Sequence, residues 1–407
     1  MIEGKLGKVV AGDRHPVRIM AVINLSQESF YEGSVARPEE ALGMAMAMQK
    51  EGADLLDIGA VSTAPNSPYI DEQQERERLF PVLKEILQNL EIEVSVDTQR
   101  AKIAEKALTM GAACINDVSG LSAPQMCQVI AEYDSSAIVM ASRSRPGDLL
   151  GMDEILRILG ERLHVAQTAG ISLEKLMVDP GVGRWIPEKL PEHDLSILDG
   201  FRRLRVLGRP VVAALSRKSF IGARLSQPDP AERLSGSLAA TAIAVYNGAH
   251  IVRTHDVSAS FEAIRMAQAV RGRTIGIAHE GIEVELQSWL YQEEDLCEAL
   301  RRIQVEEMGA KILSKKGSFR ILSVRGLSSM EAITIKQEML ARGGDAAIPK
   351  LALRCDPQPE EIMILGTAVQ IRGLVRSLKS QPFFRLSVIG TAIDMALQQI
   401  DDSSRYR

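Results

Sequence analysis

The chain has 407 residues, of which 45% are hydrophobic and 25% are charged, and its formal net charge is -5. This balance is typical of a globular protein, and the length favours two domains over one. The acidic net charge, without a basic stripe, argues against nucleic acid as the main partner. Four scattered cysteines without a C-x-x-C pair indicate neither a disulfide framework nor a zinc site. We find no apolar run long enough for a bilayer and no apolar signal core, so we expect a cytoplasmic protein without a membrane partner.

Short apolar strands and amphipathic helices alternate along the first two thirds of the chain. The first strand is predicted at "RIMAVIN" (18–24), and Pro38 and Gly52 are placed to open and close the helix after it. Further strands are predicted at 53–60, 93–98, 113–119, 136–142, 175–181, 211–216 and 250–257. Such strands indicate a parallel sheet covered by helices, and eight strand–helix units match a closed (β/α)8 TIM barrel. An open doubly wound sheet is the alternative, although no G-x-G-x-x-G motif follows the first strand.

The predicted barrel takes up residues 1–277, and residues 278–407 are predicted to form a small C-terminal α/β domain. This second part begins with an acidic helical stretch and continues with the strand pattern "FRILSVRGLS" and the helix pattern "MEAITIKQEMLARGG". Its Lys and Arg residues are typical of solvated faces rather than of a phosphate site. We therefore expect a role in assembly or in packing against the barrel.

Polar residues stand at the end of every predicted strand. They are Asn24, Asp57 to Thr63, Asp97, Asn116, Ser142, Asp179, Ser216 to Lys218, and Arg253 with His255. In a barrel these ends meet at the C-terminal face, where the active sites of this fold lie. A single one has an ordinary explanation, such as a helix N-cap for Asp97 or a structural role for His255. Eight strand ends with this property together predict a binding site.

Two carboxylates and one amide among these residues suit a flat heterocycle. Asp97, Asn116 and Asp179 offer donors and acceptors to a ring edge that carries amino and amide groups. The next candidate lies in "PVVAALSRKSFIG", where a buried strand ends on two adjacent cations. Strand alternation predicts that Lys218 points into the pocket and that Arg217 faces the other way.

The cationic side chains at the same face suit an anion. Lys218, Arg253 and His255 supply donors and positive charge of the kind that binds phosphate or pyrophosphate. Asn24 and Thr63 are placed to hold a metal-bound phosphate oxygen. The pattern as a whole predicts a site for a planar polar ring that is linked to a pyrophosphate.

Seven segments of the chain together resemble dihydropteroate synthase. They are "VINLSQESF", "GADLLDIGAVST", "SVDT", "GAACINDVSG", "VDPGVG", "LSRKSFIG" and "RLSGSLAATAIAVYNGAHIVRTHDV", and they run from Arg18 to Val257 with barrel spacing. In that family a barrel condenses hydroxymethyl-dihydropterin pyrophosphate with p-aminobenzoate, releasing pyrophosphate and forming dihydropteroate. The resemblance implies such a transferase in folate or related pterin cofactor biosynthesis, with Mg²⁺ as cofactor and a homodimer as the assembly. The variant "GRWIPEKLPEH" resembles archaeal relatives.

The resemblance also implies roles for individual residues. The pterin is assigned to Asp97, Asn116, Met140, Asp179 and Lys218. The pyrophosphate is assigned to Asn24, Thr63, Arg253 and His255, with the Mg²⁺ on Asn24. The catalytic residues implied are Asp97, Lys218 and Arg253.

The chain departs from the family pattern in the second loop, where Ala64 stands in place of the usual arginine. Arg184 either supplies the lost cation or is a surface arginine. Two alternative functions stay open: a methyltetrahydropterin-dependent corrinoid methyltransferase and a non-catalytic pterin-binding protein. Because the methyltransferases bind no pyrophosphate, "SRKSFIG" and "RTHDV" favour the synthase.

Overall fold

The computed structural model describes residues 2–26, 37–62, 68–271, 276–279, 282–285, 290, 292–350, 352, 360–383 and 385–406. The chain divides into two compact units, with the division between residues 286 and 287. The sequence predicts a domain boundary between residues 277 and 278, and this assignment of two separate domains stays a prediction. Within the described ranges we find no helix that is both long and apolar enough to cross a membrane.

Two short strands, β1 (Glu3–Leu6) and β2 (Val9–Gly12), precede a sheet of eight parallel strands. The eight are β3 (Arg18–Asn24), β4 (Leu55–Gly59), β5 (Glu93–Asp97), β6 (Cys114–Asp117), β7 (Ser136–Met140), β8 (Leu176–Asp179), β9 (Val212–Ala214) and β10 (Ile251–Thr254). Their order is β8-β7-β6-β5-β4-β3-β10-β9. A parallel bridge between Val178 and Val211 joins the two outer strands, and the Val178 N–H donates to the Pro210 carbonyl at 3.0 Å. The sheet is therefore closed into the predicted barrel.

Helices follow the strands and cover the outside of the barrel. They are α1 (Pro38–Lys50), α2 (Glu72–Asn89), α3 (Ala101–Met110), α4 (Met126–Glu132), α5 (Met152–Thr168), α6 (Pro191–Asp199), α7 (Ser219–Leu225), α8 (Leu234–Tyr246) and α9 (Val257–Arg271). Short 3-10 helices span Leu173–Lys175, Phe201–Leu207 and Pro230–Arg233. Helix α2 shows why the sequence forms these elements. Asp71 and Gln74 make a capping box at its N-terminus, and Leu79, Leu83 and Ile86 are buried on one face at helical spacing.

An antiparallel hairpin of β1 and β2 closes the N-terminal end of the barrel. Leu6 and Ala11 are fully buried in one apolar cluster with inward-facing residues of seven barrel strands. The Ser136 hydroxyl donates to the Lys5 carbonyl at 2.7 Å, which ties the hairpin to β7. Burial of Leu6 alone contributes about 1.5–3 kcal/mol to this closure. This hairpin is not among the elements predicted from the sequence.

A second hairpin, β11 (Gly276–His279) with β12 (Ile282–Glu285), completes the first unit. The second unit contains α10 (Glu293–Arg302), α11 (Glu307–Gly317), β13 (Phe319–Leu327), α12 (Ser329–Leu340), β14 (Asp345–Ala347), β15 (Glu360–Thr367), α13 (Ala368–Ser380) and α14 (Leu386–Tyr406). Its antiparallel sheet has the order β13-β15-β14. Side chains of α12, α13 and α14 form one core with this sheet, including Ile335, Ile364 and Leu374. This composition matches the predicted small α/β fold.

Candidate active site

A cavity of about 540 Å³ lies at the C-terminal ends of the barrel strands. Alternate residues of each strand point inward, so the interior changes from apolar at the base to polar at this end. On β6, Cys114 belongs to the apolar base and Asn116 lines the cavity; on β8, Met177 and Asp179 are related in the same way. Eight of the nine predicted site residues line it: Asn24, Asp97, Asn116, Met140, Asp179, Lys218, Arg253 and His255. Thr63 lies outside the described residues.

Arg253 is held between two carboxylates on neighbouring strands. Its Nε donates to Asp57 Oδ2 at 2.6 Å, and its Nη2 donates to Asp97 Oδ2 at 3.0 Å. The same Asp57 oxygen accepts from Asn116 Nδ2 at 3.0 Å. The guanidinium is therefore fixed in position at the inner end of the cavity by two ion pairs. Its predicted role as a pyrophosphate ligand stays a prediction.

The electrostatics of this cluster raise the pKa of Asp97. Burial raises it to about 7, the Arg253 guanidinium opposes the shift, and the neighbouring Asp57 carboxylate adds to it.

Asp57 is fully buried, and its Oδ1 has no hydrogen-bond partner within the described residues. Asp57 stands among the polar residues at the predicted strand ends, but no individual role was predicted for it. The available signal was a lone acid inside the apolar strand "LLDIG", two residues from Gly59 on the same face.

Asp179 and Lys218 also line the cavity, and each influences the pKa of the other. Burial raises the pKa of Asp179, and the Lys218 ammonium opposes that shift. Burial lowers the pKa of Lys218 to about 8, while the carboxylates of Asp179 and Asp194 oppose that change. Lys218 Nζ donates to the Val182 carbonyl and lies 5.5 Å from the centroid of the Trp185 ring. Its ammonium is thus inside the cavity, in the orientation that the sequence predicts.

Arg217 faces away from the cavity, but for a different reason from the predicted one. Strand β9 ends at Ala214, so strand alternation does not extend to Arg217, whose φ is 56°. Its guanidinium donates to both oxygens of Asp256 at 2.9 and 2.6 Å, and also to the carbonyls of Pro230 and Ala231. Arg217 is only 5% exposed. It is a buried structural cation rather than a surface residue.

His255 does not supply the positive charge that the sequence analysis expected. Burial lowers its pKa to about 3, and the cations of Arg253, Arg217 and Lys218 add to the shift. Its Nδ1 lies 3.0 Å from the Ser216 hydroxyl oxygen. At neutral pH the ring is therefore uncharged, and His255 can offer a hydrogen bond to an anion but not a cation.

The loop after β8 forms one wall of the cavity with Gly183, Arg184, Trp185, Ile186 and Pro187. The indole Nε1 of Trp185 donates to the carbonyls of Gly181 at 3.0 Å and Val182 at 3.2 Å. Arg184 is exposed while it lines the cavity, so it lies at the mouth. Of the two interpretations of Arg184, the cavity cation is the one that this position favours.

A family model described as pterin binding enzyme matches residues 20–255. This chain belongs to the pterin binding enzyme family. The matched range begins in β3 and ends one residue after β10, so it includes every predicted site residue and all of the barrel strands except the first two residues of β3.

Relatives in the family carry the expected activity in their names. The dihydropteroate synthase of Synechocystis sp. is 35% identical over 263 residues, which are 62% of this chain and 89% of that protein. The dihydropteroate synthase of Escherichia coli K12 is 34% identical over 263 residues, 63% of this chain and 92% of that protein. These matches confirm the resemblance that the seven motifs predicted, and they favour the synthase over the methyltransferase.

Solved structures of the family give the same result for the fold. A dihydropteroate synthase from Coxiella burnetii in complex with pteroic acid is 32% identical with a TM-score of 0.59, over 67% of this chain and 99% of that one. The enzyme from Xanthomonas albilineans in complex with 7,8-dihydropteroate is 32% identical with a TM-score of 0.58, over 66% and 98%. They confirm the predicted TIM barrel and leave about a third of this chain unmatched.

Proposed function

We propose that the barrel condenses hydroxymethyl-dihydropterin pyrophosphate with p-aminobenzoate or a related arylamine, as a dihydropteroate synthase. One observation carries the proposal: a single cavity gathers eight of the nine residues that the family motifs assign to the two substrates. Relatives whose names carry this activity match the barrel over most of their own length. Among related structures, one contains pteroic acid, one 4-aminobenzoic acid and one 7,8-dihydropteroate.

The pterin is proposed to bind at the strand ends. Asp97, Asn116 and Asp179 offer carboxylate and amide groups to the amino and amide edge of the ring, and Lys218 donates to a ring oxygen or nitrogen. Met140 is 2% exposed and supplies an apolar contact for the ring. In such a buried site each of these hydrogen bonds is stronger than in water.

The reaction is a substitution at the pterin methylene. The bond between that carbon and the pyrophosphate oxygen breaks, and the electron pair leaves with the pyrophosphate. The methylene then resembles a cation, which the ionised carboxylate of Asp97 stabilises. The arylamine nitrogen attacks this carbon, a C–N bond forms, and the nitrogen releases one proton to water. This chemistry needs no side-chain nucleophile.

The leaving group is proposed to bind on the cationic side of the cavity. Arg253, already oriented by Asp57 and Asp97, stabilises the developing charge, and His255 donates a hydrogen bond from its neutral ring. Thr63 is the further ligand proposed from the motif. Because Arg253 is fixed before the anion forms, little reorganisation is needed during the reaction.

Mg²⁺ is the proposed cofactor, with Asn24 as its protein ligand. In the described ranges, groups of three or more His, Cys, Asp or Glu side chains arranged to hold a metal ion are absent. At a phosphate site Mg²⁺ needs only one or two protein oxygens, because water and phosphate supply the rest. The amide of Asn24 lines the cavity and is an oxygen donor of the right type. When bound, the metal supplies positive charge that neutralises the pyrophosphate oxygens.

The homodimer and the cytoplasmic location are proposed on the family resemblance. The second unit is proposed as a separate domain with a role in assembly or packing rather than in the reaction. Its support is that every predicted site residue belongs to the first unit.

Release of pyrophosphate tests the proposal. Purified protein, Mg²⁺ and pterin pyrophosphate should release pyrophosphate only when an arylamine such as p-aminobenzoate is added. Release at background with several para-substituted anilines, together with tight pterin binding, would support the non-catalytic alternative instead.

A further inference from the structure

Lys189 is a fully buried lysine behind the cavity wall. Its side chain is 0% exposed and Asp194 is 2% exposed, and Lys189 Nζ lies 3.5 Å from Asp194 Oδ1. Lys189 also donates to the Gly181 carbonyl at 2.6 Å. Taking such a pair out of water costs several kcal/mol per ion, and an apolar pair of similar volume is often as stable. The pair therefore calls for a function beyond stability.

The backbone of Gly181–Gly183 lies between this buried pair and the cavity. From behind, Lys189 binds the Gly181 carbonyl, and Asp194 Oδ1 accepts from the Gly183 N–H at 2.8 Å. On the cavity side, the Gly181 N–H donates to Asp179 Oδ1 at 2.7 Å, and the Val182 carbonyl accepts from Lys218. Gly181 thus joins the buried Lys189 directly to Asp179 in the cavity. Val182, which binds Lys218, is followed in the chain by Gly183, which binds the buried Asp194.

The two glycines are required for this arrangement. Gly181 and Gly183 have φ values of 73° and 121°, in the region that favours glycine. A Cβ on Gly183 would lie 3.2 Å from Lys218 Cδ, so the backbone approaches the lysine side chain closely. Both ends of the segment are therefore placed tightly, and a shift of the backbone moves the groups that contact it.

We propose that Lys189 and Asp194 are positioning residues, which set the placement of Asp179 and Lys218 through the backbone of Gly181–Gly183. The proposal rests on the proposed function, because Asp179 and Lys218 are the pterin contacts there. The proposal predicts an effect on one substrate and not on the other. Loss of the pair weakens pterin binding, while the arylamine, which contacts the mouth of the cavity, is bound as before.

The first test replaces both charges, so that neither is left buried alone. In Lys189→Met/Asp194→Asn the Gly181 contact is lost and the Gly183 contact is kept. We expect the Kd for pterin pyrophosphate, measured by calorimetry with Mg²⁺, to rise about 10- to 100-fold, by analogy with the loss seen when the hydrogen-bond partners that orient metal ligands are removed. The KM for p-aminobenzoate should stay within about threefold. Asp194→Ala, which frees the Gly183 end instead, should change the pterin Kd in the same direction.

Trp185 gives a second readout that needs no substrate. Its indole donates to the Gly181 and Val182 carbonyls, so its emission reports the position of the segment. The chain has two tryptophans, and Trp289→Phe leaves Trp185 as the single reporter. Both the parent and the Lys189→Met/Asp194→Asn variant carry Trp289→Phe in this measurement. We expect the Trp185 emission of the variant to lie at longer wavelength and to be quenched more strongly by acrylamide.

A buried pair elsewhere in the barrel serves as the matched control. Arg205 and Asp13 lie 2.7 Å apart with side chains 10% and 1% exposed. Arg205→Met/Asp13→Asn should lower stability and leave the pterin Kd and the Trp185 emission unchanged. The positioning role is refuted if Lys189→Met/Asp194→Asn keeps both the pterin Kd and the Trp185 emission of the parent. It is also refuted if the control variant loses as much pterin affinity. If the parent itself binds no pterin, the proposed function fails, and the Trp185 emission alone decides the positioning role.

Discussion

The adjacent cations Arg217 and Lys218 should respond to substitution in opposite ways. Lys218→Ala removes an ammonium that lies in the cavity. Among the described residues, its hydrogen-bond acceptor is the Val182 carbonyl and its aromatic neighbour is the Trp185 ring. Arg217→Ala removes a guanidinium that does not line the cavity and that binds Asp256 and two backbone carbonyls. We therefore expect the first variant to lose turnover and the second to lose stability.

The expected magnitudes follow from these contacts. Losing one donor to a charged transition state costs roughly 10²–10³ in rate, or about 3–4 kcal/mol. Breaking a buried ion pair by removing one partner costs about 3–5 kcal/mol, and the lower end applies here because the Asp256 side chain is 17% exposed. For a unit of this size, about 3 kcal/mol lowers Tm by roughly 6–12 °C. Strand alternation alone suggests that Arg217→Ala keeps its activity within about tenfold of the wild type. Because the variant is expected to unfold at a lower temperature, its activity should fall by more than this in assays near its melting temperature.

The assay combines pyrophosphate release with thermal unfolding of the same samples. Lys218→Ala should keep the parent Tm within about 2 °C and lose at least 100-fold in kcat/KM, on the scale given above. Turnover by Lys218→Ala within about threefold of the parent would show that its ammonium does not act on the pterin. An unchanged Tm in Arg217→Ala would show that the ion pair with Asp256 contributes nothing to stability.

Three further predictions concern pH, the acceptor and the second unit. Because the pKa of Asp97 is raised to about 7 and that of Lys218 is lowered to about 8, kcat/KM should rise with pH as Asp97 ionises and fall as Lys218 loses its proton. A profile that is flat from about pH 6 to pH 9 would contradict this. Arg184→Gln should raise the KM for p-aminobenzoate about tenfold but not that for aniline, which has no carboxylate, whereas the exposed Arg145→Gln should change neither. The fragment 1–286 should unfold cooperatively and bind pterin, since every predicted site residue precedes Val257; calorimetry of the fragment that shows no cooperative transition would refute it.

The barrel strands could be predicted because their sequence signal is local. Each of the eight observed strands lies within a predicted one, since a strand buried on both faces is a continuous apolar run. The polar residue that ends each run also identifies the C-terminal face, and so the cavity. The hairpin of β1 and β2 lacks such a signal. Its strands have four residues each, and only their contact with the barrel base makes them buried.

Other features depend on contacts that sequence neighbours do not reveal. The burial of Arg217 depends on Asp256, 39 residues further along the chain. The uncharged state of His255 depends on its burial and on three cations, two of which follow another strand, β9. The buried position of Lys189 depends on the path of the loop around Gly181. In each case the residue type was visible in the sequence, and its partner was not.

The closed base of the barrel leaves the cavity accessible from one end. Since Leu6 and Ala11 fill the N-terminal end, substrates enter and products leave through the mouth at the opposite face. Asp97 and Asn116 belong to the strands, whereas Arg184 belongs to a loop at that mouth. In the proposed function a pterin at the strands lies beneath an arylamine at the mouth, so we expect the pterin to enter first. An arylamine that arrives early would then block the path and form a dead-end complex, and we expect excess acceptor to inhibit the reaction.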